Sequence, residues 1–192
     1  AKVLKASSLS LVVRAGAGFN TIDLEAASGA GVFVANCPGK NADAVAELTL
    51  GLVLAVDRHI AHCTSDLREG LWKKGTYSQA RGLKGRTLGI LGMGRIGQEV
   101  ARRAQAFGME VLAWSRSLTE DTALVYGVER AERPEDVAAR ADVLTVHLAS
   151  SDQTRGFVGP SIFEALKYGA IFVNTSRADV VDEASLRTAL DQ

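Results

Sequence analysis

Thr87-Leu88-Gly89-Ile90-Leu91-Gly92-Met93-Gly94-Arg95-Ile96-Gly97 decides the fold. The apolar run Thr87–Leu91 reads as a short buried strand. It passes straight into Gly92-x-Gly94-x-x-Gly97, and the stretch beyond carries apolar residues at helical spacing, Ile96, Val100, Ala104 and Phe107. Strand, glycine turn and helix in succession are the context in which three glycines signify a dinucleotide site. Gly92 permits the tight turn, Gly94 lets the backbone approach a pyrophosphate, and Gly97 lets helix and strand pack closely. Unpaired N–H groups at the start of the helix, beside Arg95 and Ile96, and the positive end of its dipole favour phosphate there.

Working outward, strand and helix patterns alternate from Gly85 onward. Strands are expected at Thr87–Leu91, Glu110–Trp114, Val128–Arg130, Val143–Leu148 and Ala170–Asn174. Helices are expected at Arg95–Phe107, Glu120–Tyr126, Pro134–Arg140, Pro160–Leu166 and Glu183–Asp191. This alternation predicts an α/β fold, a Rossmann-type doubly wound parallel sheet covered on both faces. Upstream, Leu9–Arg14 and Val32–Asn36 read as strands with a short helix, Asp23–Ser28, between them. A long helix starts near Asn41 or Asp43 and runs to about Leu67, with Gly70 as its stop. Gly70–Lys84 reads as a linker that packs through Trp72 and Tyr77. The resulting organisation is a partial substrate-binding domain at 1–40, a linking helix and linker at 41–84, and a dinucleotide-binding domain at 85–192. The chain opens on Ala1-Lys2-Val3-Leu4 and stops inside or just after a helix, so we expect a piece of a longer protein.

Composition narrows the function. Lys plus Arg and Asp plus Glu are equal at 22 each, which gives a net charge of zero and no polybasic block to suggest nucleic acid. Cys37 and Cys63 lack metal-type spacing, which favours a reducing, cytoplasmic setting. Leu9–Val13 is too short to span a membrane. His59, His62 and Cys63 share a helix, but no third ligand stands at metal spacing, and Asp57 and Asp66 read as helix-surface residues; no metal is expected.

Four places bear on chemistry. In a dinucleotide fold an acid about twenty residues past the glycines binds the ribose 2′-OH. Here the second strand ends in Ser115-Arg116-Ser117 without one. Serine and arginine suit a 2′-phosphate, and they read equally well as a neutral serine beside a solvated arginine, so NADP stands open beside NAD. Arg177 follows the strand Ala170–Asn174 and the turn Thr175-Ser176, the end of a parallel strand that faces the ligand crevice. A guanidinium there can hold a carboxylate in two bonds and polarise a ketone, or pair with Asp179, Asp182 or Glu183. His147 ends another strand and can line the cofactor pocket, cap the strand or act as a base. Arg14-Ala15-Gly16-Ala17-Gly18 lacks the third glycine; it is either a small anion nest or a plain strand-to-helix turn.

The chain resembles the D-isomer-specific 2-hydroxyacid dehydrogenases. Four blocks carry the likeness: Arg14–Asp23, Ala46-Glu47-Leu48-Thr49, Gly85–Gly97, and Val173–Arg177 with Val181-Asp182-Glu183. Within the family the Arg14 block and Asn36–Asn41 are most like the phosphoglycerate dehydrogenase branch. The resemblance implies oxidation of a D-2-hydroxy acid by hydride transfer to NAD, foremost 3-phosphoglycerate in serine biosynthesis, in a cytoplasmic homodimer or homotetramer. It implies that Arg177 binds the substrate carboxylate and carbonyl, and that Gly94–Gly97 hold the pyrophosphate. Ser115 falls where many NAD-dependent members have Asp. Leu148, Thr154, Thr175 and Ser176 are expected to line the adenine and nicotinamide side, Arg14 to Gly18 to offer substrate contacts, and Glu47 with its helix to link the domains and face a partner subunit. The fold it implies for the first residues is a partial flavodoxin-like substrate domain. Ala178 and Ala149 replace a usual Gly and Pro, and the family's catalytic Glu and His segment is not in this sequence, so the 192 residues alone are expected to be inactive. Two other readings are an NADP-dependent glyoxylate or hydroxypyruvate reductase, and a non-catalytic, corepressor-like module that senses NAD(H).

Overall fold

The computed structural model describes residues 2–5 and 8–191. The chain forms two units, Ala1–Ala44 and Val45–Gln192. In the first, α1 (Lys2–Lys5) precedes β1 (Leu11–Val13), α2 (Leu24–Gly29) and β2 (Phe33–Ala35). The two strands are parallel, with Leu11 opposite Phe33 and Val13 opposite Ala35. Asp23 starts α2 because its carboxylate accepts the Ala26 N–H at 2.9 Å, one of the donors a helix start leaves without a partner.

Helix α3 (Ala42–Asp57) leads into the second unit, followed by α4 (Ile60–Arg68) and α5 (Lys74–Tyr77). The single long helix expected from the periodicity is therefore broken. It stops where Asp57 turns inward to meet Arg86 at 2.8 Å and the Gly82 N–H at 3.0 Å. Asp57 is thus a buried, paired residue, not a helix-surface one, since a carboxylate taken out of water needs such partners. His59 then adopts a left-handed conformation, φ 53°, and its ring packs on His62 and Tyr77. Asp66 is likewise engaged: it accepts the Tyr77 hydroxyl at 2.5 Å and lies 3.1 Å from Lys73. Of the two aromatics expected to anchor this stretch, Tyr77 does so, whereas Trp72 is 78% exposed.

Five parallel strands follow: β3 (Thr87–Leu91), β4 (Glu110–Trp114), β5 (Glu129–Arg130), β6 (Val143–Val146) and β7 (Ile171–Asn174), in the spatial order β5-β4-β3-β6-β7. This is the 3-2-1-4-5 order of a doubly wound dinucleotide fold. Strands Thr87–Leu91 and Glu110–Trp114 fall where the sequence placed them, and the others differ only at their ends. Side chains alternate between two cores. Leu88, Ile90, Val111 and Val143 pack on one face with Val100 and Ala104 of α6 (Arg95–Ala106) and with Leu50 and Val53 of α3. Leu91, Leu112, Leu144 and Val146 pack on the other with Val137 and Ala138 of α8 (Pro134–Arg140) and Ile162 of α9 (Pro160–Ala165). Helix α7 (Glu120–Tyr126) closes with Gly127, and a 3-10 turn, Ala178–Val180, precedes α10 (Glu183–Leu190). Phe107 falls just beyond α6 and is 45% exposed, so the buried stripe of that helix is Gly97, Val100, Ala101 and Ala104.

Candidate functional site

The strand order reverses between β3 and β6, and a cleft of about 830 Å³ opens at their carboxyl ends. That is the place and the size, ~300–1,000 Å³, at which such folds hold a ligand. Backbone bonds bring three strand ends together: Gly92 N–H donates to Trp114 O and His147 N–H to Leu91 O, both at 2.8 Å. Each glycine has a separate reason. Gly92 has φ 107°, and a Cβ on it would lie 2.7 Å from His147 O. A Cβ on Gly97 would lie 2.1 Å from Gly92 O, so α6 packs on the turn through bare backbone. A Cβ on Gly94 would meet nothing within 4 Å; the space beside it is the cleft itself. Gly94 caps α6 without a side-chain hydrogen bond, so no side chain at the cap stands between the amino end of the helix and the cleft, the end that favours an anion. A diphosphate fits this cradle.

Of the residues singled out from the sequence, Gly92, Gly94, Ser115, Arg116, Ser117, His147, Leu148 and Thr154 line the cleft. Sequence reasoning missed Trp114, Gln153 and Phe157, which line it as well. Trp114 stacks on Phe157 with ring centroids 5.1 Å apart, an apolar wall beside the polar turn. Arg116 donates from Nη1 to Gln153 Oε1 across the cleft mouth. The available signal was Ser151-x-x-Thr154, in which the Thr154 hydroxyl accepts the Ser151 N–H at 2.8 Å and so shapes a tight turn after β6.

His147 carries the clearest electrostatic anomaly. Both ring nitrogens are buried without a hydrogen-bond partner among the described residues, although part of the residue faces the cleft. Burial pushes its pKa down from 6.5 to about 4, because an imidazolium loses more on leaving water than a neutral ring does. The ring is neutral at physiological pH and has one donor and one acceptor to offer. The consequence for stability has a definite sign. Between about pH 4 and pH 6.5 the unfolded chain binds a proton that the folded chain excludes, so this contribution is complete above pH 6.5 and is lost as the pH falls toward 4. We expect His147→Gln to remove on the order of 1–3 kcal/mol of the acid destabilisation, measured as the difference in urea-unfolding free energy between pH 7.5 and pH 4.5. An identical difference in the two proteins would contradict this.

Arg177 lies on the loop after β7, beside β6, at the same edge of the sheet. It is exposed, and its Nη1 donates to Ser176 O at 2.8 Å. None of Asp179, Asp182 or Glu183 is within ion-pair distance among the described residues; Asp179 accepts from Ser150 and Asp182 from Ser185. Asn174 shapes the loop: its Nδ2 donates to Arg177 O at 2.8 Å, and its Oδ1 accepts from Ser176 N–H and Oγ at 2.9 and 2.7 Å. Thr175 is held by a 2.9 Å hydroxyl pair with Thr49 of α3. In the first unit, Arg14–Gly18 forms a turn in which Gly16 N–H donates to Arg14 O, Cys37 N–H to Gly16 O and Asn36 Nδ2 to Ala17 O. The Gly16 amide is thereby used internally. Among the described residues no three His, Cys, Asp or Glu side chains converge as a metal site.

Residues 50–192 match the family model described as D-isomer specific 2-hydroxyacid dehydrogenase, NAD binding domain. The chain belongs to this family. Its relatives include the D-3-phosphoglycerate dehydrogenase of Methanocaldococcus jannaschii, 38% identical over 188 residues, 98% of this chain and 36% of that protein. The hydroxypyruvate reductase of Thermotoga maritima is 38% identical over 93% of this chain and 57% of that protein. Among solved structures, the D-lactate dehydrogenase of Escherichia coli superposes with a TM-score of 0.89 at 28% identity, over 99% of this chain and 59% of that one. The chain thus spans about a third of the length of the phosphoglycerate dehydrogenase it matches. The dinucleotide cofactor of the matched domain is NAD. No helix among the described residues is long and apolar enough to cross a membrane.

Proposed function

We propose that this chain is the dinucleotide-binding part of an oxidoreductase that oxidises a D-2-hydroxy acid with NAD, foremost 3-phosphoglycerate to 3-phosphohydroxypyruvate in serine biosynthesis. The observation that carries the reading is the open cradle at Gly94, placed at the switch point of the sheet with Arg177 on the same edge. When bound, NAD accepts a hydride from the substrate carbon. In this reading the α6 amino terminus holds the diphosphate, and Trp114, Phe157 and Leu148 exclude water. Arg177, unengaged by any carboxylate among the described residues, takes the substrate carboxylate in two bonds and stabilises the negative charge that develops on the hydroxyl oxygen as its proton leaves and the carbon gives up hydride. The proton of the hydroxyl needs a base. His147, neutral and without a carboxylate partner, is not arranged as one, so its part is to meet the cofactor.

Ser115-Arg116-Ser117 favours a second reading, a glyoxylate or hydroxypyruvate reductase using NADP, since no acid stands at the cleft mouth to repel a 2′-phosphate. One titration separates the two. Calorimetry of the 192-residue chain with NADH and NADPH is expected to show binding, tighter for NADH, with little or no turnover of 3-phosphoglycerate. Tighter NADPH binding would transfer the assignment to the second reading, no heat from either would end both, and a corepressor-like module would bind the dinucleotide without binding any hydroxy acid. We further read the helix α3 face as a homodimer contact. Leu48, Leu52 and Val56 stand at i, i+4 and i+8, exposed by 56, 40 and 53%, an apolar stripe with no partner in the described chain. Leu52→Glu is expected to convert a dimer into a monomer by light scattering; a wild-type chain already monomeric at high concentration would refute the contact.

A further inference from the structure

The segment leaving β6 has two faces. On one, Ser151, Gln153, Thr154 and Phe157 line the dinucleotide cleft. On the other, the same segment is bonded to the residues just past Arg177. Ser150 Oγ donates to the Asp179 carboxylate at 2.7 Å. Gly156 N–H donates to Asp179 O at 2.8 Å, Val158 N–H to Val180 O at 3.0 Å, and Asp182 N–H to Val158 O at 3.0 Å. Val158 and Val180 are fully buried, so the end of this ladder is anchored in the core. Its beginning is not: at Ser150, four residues past the end of β6, the link is a side chain, Asp179.

Arg177 itself is fixed by little. Its guanidinium is exposed and, among the described residues, bonds only the neighbouring Ser176 carbonyl. Its backbone carbonyl accepts from Asn174 Nδ2 at 2.8 Å and from Val180 N–H at 3.4 Å, and Asp179 lies within that turn, two residues on. A ligand that presses on the cleft wall therefore has a route to Arg177 through Ser150 and the Asp179 side chain, one charged hydrogen bond beside the backbone bond from Gly156 N–H to Asp179 O.

We propose that Asp179 is a positioning residue: its bond to Ser150 ties the wall of the dinucleotide cleft to the Arg177 loop, so that filling the cleft sets the arginine for a carboxylate substrate. This rests on the reading of the cleft and of Arg177 given above. It adds a directional consequence, that the carboxylate site is completed by the dinucleotide.

The test uses the 192-residue chain and limiting phenylglyoxal, with modification of each arginine measured by peptide mass spectrometry, with and without saturating NADH. Arg116, on the cleft mouth, reports occupancy. In the wild type we expect NADH to protect Arg116 and to change the Arg177 rate by about fivefold, the size of a modest coupling. In Asp179→Ala and in Ser150→Ala, which break the same bond from opposite sides, Arg116 is expected to stay protected while the Arg177 response falls below about twofold. Asp179→Asn keeps an acceptor for Ser150 and is expected to restore the response. Direct shielding of Arg177 by NADH would survive in both alanine variants and would overturn the proposal, as would protection of Arg116 with no change at Arg177 in the wild type. If Asp179→Asn behaves like Asp179→Ala while Ser150→Ala behaves like wild type, charge and not the bond is at work, and the proposal is wrong. If NADH protects neither arginine, the dinucleotide reading itself has failed and this inference goes with it.

Discussion

Gly94→Leu is expected to abolish dinucleotide binding while leaving the fold as stable as the parent. The backbone at Gly94 is extended, φ −72° and ψ −170°, which any residue adopts. A Cβ there touches nothing within 4 Å, so the folded state has no clash to relieve. Everything the leucine occupies is space in front of the α6 amides, where a diphosphate must come within hydrogen-bond distance. We expect the NADH dissociation constant to rise by at least roughly a hundredfold, about 2.7 kcal/mol, with the melting temperature unchanged within about 2 °C. Calorimetric titration beside differential scanning separates the two quantities. Undiminished affinity would mean that the diphosphate is not held at this helix.

Gly97→Ala should fail in the opposite way. Its Cβ would sit 2.1 Å from Gly92 O and 3.1 Å from Gly92 C. These are backbone atoms of a turn that is pinned by the bond from Gly92 N–H to Trp114 O. Alanine gains about 1 kcal/mol of helix propensity over glycine, but this is outweighed by the overpacking, for which α6 has to lift away from the Gly92 carbonyl. The net loss is expected at about 2–4 kcal/mol, read from urea unfolding. A variant as stable as the parent would show that helix and strand are not in this contact. Together the two substitutions distinguish a glycine kept for its ligand from one kept for its neighbour.

How much of this was legible beforehand depended on the range of the interaction. Thr87–Leu91 and Glu110–Trp114 were readable to the residue because buried parallel strands are continuous apolar runs between turn signals. The differing requirements of Gly92, Gly94 and Gly97 followed from one local motif. The break at His59 was not readable, because nothing near it in sequence disfavours helix; its cause is Arg86, 29 positions after Asp57. Gln153 and Phe157 escaped notice for the same reason. They belong to the cleft because β6 lies beside β3, and the Ser151-x-x-Thr154 spacing announces a turn but not that neighbour. Arg177 was locatable as a strand terminus, but its freedom from Asp179 and Asp182 depended on two serines, Ser150 and Ser185, taking those carboxylates first.

The reversal of strand order has a further consequence. Ser115, Arg116 and Ser117 project from one strand end and Ser151 to Gln153 from another, and none of them belongs to either core. In the function proposed above, the choice between nucleotides therefore rests on residues that the sheet does not need. A lineage can rewrite that preference by a few surface exchanges without passing through unstable intermediates, and the scaffold is inherited intact while its appetite changes.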